Sequence, residues 1–123
     1  MRRWSRALLL PAFLLPGGGA AIAQDGGPVA AGRAISLEHC ARCHVVDPAN
    51  GLGGIGSTPS FKLLMSLPDG ENRFVTFFDR RPHGAFVRME GVERLTPLPA
   101  NAAEIHLTAD DLDAILAFVL TLK

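Results

Sequence analysis

Cys40-Ala41-Arg42-Cys43-His44 holds both cysteines of the 123-residue chain, three positions apart and followed at once by a histidine. A disulfide between them would close a very small loop, and the stabilisation a disulfide supplies shrinks with the loop it closes. A redox dithiol of the Cys-x-x-Cys type belongs with a βαβ pattern, and the chain carries no alternating strand pattern. A structural zinc site takes four ligands, usually from two such pairs. The second pair is missing.

The adjoining histidine points elsewhere. Cys-x-x-Cys-His in that order is the attachment signature of haem c, and its spacing has a mechanical reason. Two thiols add across the two vinyl groups of one porphyrin edge. The chain then turns beneath the ring, so that the next side chain brings an imidazole to the iron. The sequence therefore predicts one covalent haem on Cys40 and Cys43, with His44 as the proximal iron ligand.

Toward the N-terminus, residues 1–23 read as a secretory signal. Arg2, Arg3 and Arg6 form the basic region, residues 7–15 the apolar stretch, and Ala21-Ile22-Ala23 the small-x-small cleavage site. Spanning a bilayer takes about 20 apolar residues. This run is far shorter and is broken by Pro11, Pro16 and Gly17-Gly18-Gly19. Cleavage after Ala23 leaves residues 24–123 as one domain in the periplasm, with no room for a second core and no stable membrane anchor. The full chain balances 12 Lys and Arg against 12 Asp and Glu, so losing three arginines leaves the exported part three charges negative. No basic stretch remains that would follow a nucleic-acid backbone. A domain of this size often needs a staple or a cofactor.

Beyond a short polar lead, residues 29–45 read as a helix that delivers the cysteines at its C-terminal end. Residues 47–57 are loop, with Pro48, Asn50 and four glycines. Thr58-Pro59 looks like a helix start, followed by a helix over 60–67 that Pro68 stops. Asp69 can cap a helix over 71–80, whose Phe74, Phe77 and Phe78 share one face. Residues 84–103 read as loop. The last helix is the clearest. Thr108 caps it, Asp111 can complete a capping box, and Leu112, Ile115, Leu116, Val119 and Leu120 mark its buried face. The pattern is all-α.

Residues 24–123 resemble a class I, monohaem c-type cytochrome. Such proteins have a glycine eight residues before the first haem cysteine, where it lets the N-terminal helix cross closely over the C-terminal one. Gly32 stands there, with Ile35 apolar after it. Ser36 occupies the position that is usually aromatic, so that contact must be built differently. The resemblance implies a small helical fold around one covalent haem. It also implies that a proline carbonyl receives the Nδ1–H of the proximal histidine. Pro59 matches that proline, although helix initiation is its other reading.

A methionine thioether from the loop before the last helix is the sixth ligand that the resemblance implies, and Met89 lies there. Met65 reads as a core residue. In Arg81-Pro82-His83-Gly84-Ala85-Phe86, however, Phe86 stands where the family's methionine would follow Pro-His. His83 is therefore the alternative distal ligand, and bis-histidine ligation would lower the potential. His39 and His106 read as solvent-facing or locally hydrogen-bonded. The implied function is single-electron transfer through transient encounters with redox partners at the haem edge, without catalysis. The competing readings are a haem subunit of a dehydrogenase or oxidase, and a haem enzyme or gas sensor with a labile sixth position. The last would need His83 or Arg81 as its distal polar group.

Overall fold

The computed structural model describes residues 26–94 and 96–123. The signal reading of residues 1–23 lies outside them. Four helices form the body: α1 (Gly27–His39), α2 (Phe61–Met65), α3 (Gly70–Val75) and α4 (Ala109–Val119), with short 3-10 turns between and after them. The fold is mostly helical, and α1 packs across α4. The loop expected over 84–103 departs from an all-α pattern. Its first part contains β1 (Val87–Met89), which pairs in parallel with β2 (Ile105–Leu107). Strands of three residues are too short to show the period-2 signature that betrays a longer one.

Gly32 explains how the two terminal helices meet. A Cβ at Gly32 would lie only 1.8 Å from the Ala114 carbonyl oxygen of α4, so only glycine lets the backbones touch. One turn on, Ser36 is fully buried, and its Oγ donates to the Gly32 carbonyl at 2.7 Å. A small side chain that satisfies itself within its own helix thus replaces the usual aromatic.

The core gathers Val46, Phe61, Met65, Phe74, Ile115 and Val119 among others, so Met65 takes the packing role expected of it. On α4 the buried set is Ala114, Ile115, Phe118 and Val119, while Leu120 is exposed. The stripe is rotated slightly from the expected one, because the close approach of α1 buries Ala114.

Thr108 caps α4 as anticipated. Asp111 N donates to Thr108 Oγ1 at 3.1 Å, and Thr108 N donates back to Asp111 Oδ2 at 2.8 Å. Thr108→Ala removes the hydroxyl arm and is expected to destabilise the protein by about 1 kcal/mol. Urea unfolding measures this, and Thr108→Ser should restore the wild-type midpoint. Asp69 departs from expectation: its carboxylate accepts from Arg73 Nε at 2.9 Å instead of capping α3. That hydrogen bond holds the Asp69 carboxyl below its ordinary range. No helix among the described residues is long and apolar enough to cross a membrane.

Candidate functional site

The predicted helix over 29–45 ends earlier, at His39, because the chain coils sharply at the cysteines. Cys40 N closes the last turn of α1 onto Ser36 O at 2.9 Å. Cys43 N and His44 N then both donate to Cys40 O, at 3.1 and 2.9 Å. The thiols are free. This turn is fastened from outside: Ile55 N donates to Cys43 O at 2.9 Å, and Asn50 Nδ2 donates to His44 O at 2.9 Å. Phe61 N donates to Val45 O at 2.9 Å. Gly54 makes the return possible, with φ at +81° and a would-be Cβ 3.0 Å from Cys43 O. An ion pair between Arg33 and the buried Asp47 ties α1 to the segment just after His44.

Beside the turn lies a cavity of about 410 Å³, a size usual for cofactor and small-molecule sites. Cys40, Cys43, His44 and Pro59 form one wall. Phe61, Phe74, Phe77, Phe86, Val87 and Ile115 supply apolar surface, and Arg73, Arg80 and Arg81 also line it. Of the expected aromatic stripe, Phe74 and Phe77 reach the cavity, whereas Phe78 lines a separate small cleft.

His44 is held in one orientation. Its Nδ1–H donates to the Pro59 carbonyl at 2.7 Å, and its ring meets the edge of Phe61 at a centroid distance of 5.5 Å. The proline does not start a helix. Ser60 caps α2 instead, its Oγ accepting from Leu63 N at 3.1 Å, so the expected cap at Thr58 shifts by two residues. A carbonyl on Nδ1–H leaves Nε2 free for a metal and raises its basicity. Burial pushes the Cys40 thiol up to about 11, and Cys43 adds to the shift. At neutral pH that sulfur is therefore an uncharged thiol, and a thioether formed from it would carry no ionisable group.

His83 lines the same cavity, its ring 5.9 Å from that of His44 and inclined by only 13°. Phe77 and Phe86 flank it, at 5.5 and 5.9 Å. Burial holds His83 below the ordinary histidine range, the facing His44 adds to this, and the Arg80 backbone opposes it. Its Nδ1 is buried and makes no well-formed hydrogen bond among the described residues.

Met89, the expected distal ligand, is not among the residues lining the cavity. It is 6% exposed and packs in the core, paired in register with Leu107. The strand pairing is the reason: β1 runs buried, exposed, buried, and its Val87 end reaches the cavity. Met89 lies two residues further along, roughly 6–7 Å at strand rise. His39 borders the cavity with the Glu38 carboxylate 3.9 Å away, and exposed His106 pairs with Glu104 at 2.8 Å as a surface residue does. The pairing of Phe77 and Phe86 around His83 had no signal in the sequence, because it depends on the 3-10 turns that fold residues 77–85 back.

Two thiols and two imidazoles lining one cavity, with apolar side chains around them, form a donor set that fits haem c. Among the described residues, no three or more His, Cys, Asp and Glu side chains converge as a metal-ion site, so a zinc centre is not assembled. A sequence model of the family described as Cytochrome c matches residues 29–123. No curated protein and no solved structure matches the chain.

Proposed function

The chain belongs to the cytochrome c family, and on that premise we propose that it is an exported, monohaem electron carrier of the periplasm. The family binds covalent haem c, and its domains generally carry electrons rather than catalyse reactions. The observation that bears most weight is the wall formed by Cys40, Cys43 and His44, with the imidazole oriented by Pro59 O at 2.7 Å.

Bound there, the haem supplies reversible one-electron chemistry. The chain's residues do the rest. Cys40 and Cys43 would hold the porphyrin edge through thioethers. His44 would present Nε2 to the iron, its ring prevented from turning by the Nδ1–H bond. Phe61, Phe74 and Phe77 would exclude water, so that charge on the iron is felt in a low-dielectric medium. Partners would meet the protein in short-lived redox encounters, which bury little surface. Residues 1–23 carry the features of a signal removed after Ala23, which supports export.

The test is one purification. The mature holoprotein is expected to keep its red pigment through denaturation in acid and organic solvent. In voltammetry it should give a single reversible one-electron wave. Pigment that washes away would refute covalent attachment. A ferrous form that binds carbon monoxide within the mixing time and turns over peroxide would replace the carrier by a haem enzyme or sensor.

A further inference from the structure

We propose that His83, and not a methionine, is the second axial ligand, so that the iron is held between two imidazoles. The inference rests on the reading that haem c occupies the cavity. It then follows from what faces His44. A metal–imidazole nitrogen bond is about 2 Å long, so two imidazoles on opposite sides of one metal stand roughly 6 Å apart between centroids. His44 and His83 stand 5.9 Å apart and are 13° from parallel.

Two further observations agree. A buried polar ring calls for an explanation, and His83 Nδ1 makes no well-formed hydrogen bond among the described residues. Imidazole is the commonest protein ligand to a metal, and an iron in the cavity would give this buried ring a polar bond that its aromatic neighbours Phe77 and Phe86 cannot offer. The soft alternatives are elsewhere: Met89 and Met65 are 6% and 4% exposed in the core, and neither lines the cavity. Phe77 and Phe86 close on the His83 ring from two sides, which limits its rotamers before any ligand arrives.

Axial chemistry has a consequence for the potential. A thioether favours the ferrous state and raises the potential, whereas a second nitrogen donor stabilises the ferric state and lowers it. The protein is thereby set as a low-potential member of its family.

The experiment compares wild-type, His83→Ala, His83→Met and Met89→Leu holoproteins by optical and electron paramagnetic resonance spectra and by voltammetry. Covalent haem is quantified in each from its alkaline pyridine spectrum. Wild-type protein should be low-spin in both oxidation states, without the weak red band of a ferric iron–thioether bond, and slow to bind carbon monoxide. His83→Ala should become high-spin and bind carbon monoxide rapidly, and added imidazole should return it to low spin. His83→Met should gain the red band and shift the potential upward, which serves as the readout if the alanine variant does not accumulate. Met89→Leu should leave the spectra and the potential unchanged. A red band in the wild type that disappears in Met89→Leu would overturn the assignment while leaving the carrier intact, and so would a low-spin His83→Ala of unchanged potential. Wild-type protein with no covalent haem would instead remove the premise, and the proposal with it.

Discussion

Replacing both Cys40 and Cys43 with alanine is expected to take covalent haem retention from complete to none. Each single replacement should keep the haem through one thioether and shift its alkaline pyridine spectrum. The two sulfurs are the only cysteines of the chain, so no other residue can take over the bond. Structure should be lost with the haem. Without its occupant a cavity of about 410 Å³ lined by core residues such as Phe61, Phe74 and Ile115 is left unfilled, and side chains of a core that lack packing partners are destabilising. The double variant should therefore show weakened helical circular dichroism and fast proteolysis. A double variant that still holds its pigment after acid extraction would show that the thiols are not the anchor. One that loses its pigment but unfolds at the wild-type urea midpoint would show that the cavity is not the centre of the core.

The cysteine and histidine motif of the candidate site was legible because it is local. Cys40, Cys43 and His44 act within five consecutive residues, so a linear pattern suffices to find them. The capping box at Thr108 and Asp111 was legible for the same reason, being complete within four residues. Gly32 and Pro59 could be located only through the family resemblance. Their partners, Ala114 and His44, are far away in sequence, and neither a glycine nor a proline announces what it faces.

What escaped was what depends on tertiary closure. Met89 and His83 are six residues apart, and either could be imagined over the iron from composition alone. Where each comes to lie depends on the pairing of β1 with β2, which places Met89 opposite Leu107 and leaves His83 in the turn before the strand. Hydrogen bonds over three residues on each side decide this, and they leave no periodic mark. The early end of α1 escaped likewise: residues 40–45 have a helical pattern, but loop bonds from Asn50, Ile55 and Phe61 draw them into a turn.

Gly32→Ala is expected to destabilise the holoprotein by about 3 kcal/mol or more, a size reserved for overpacking in a core. Intrinsic propensity points the other way, since alanine is better than glycine inside a helix by about 1 kcal/mol. Contact geometry outweighs it. The new Cβ would sit 1.8 Å from Ala114 O, 2.3 Å from Ala114 C and 2.8 Å from Ile115 N, all of them backbone atoms that cannot swing aside. The helices must separate until the contact passes 3.4 Å, a displacement of about 1.5 Å in an interior that is close-packed. Ala114 and Ile115 would lose their close approach to α1, and Ser36, fully buried one turn on, would be opened to water. Because α1 runs straight into Cys40, the displacement should also reach the cavity wall and shift the reduction potential without changing the axial ligands. Ala34, exposed on the same helix, provides the control: Ala34→Val should cost no more than its helix propensity, about 0.5 kcal/mol. Equal urea midpoints for Gly32→Ala and wild type would show that the two helices do not meet at this glycine.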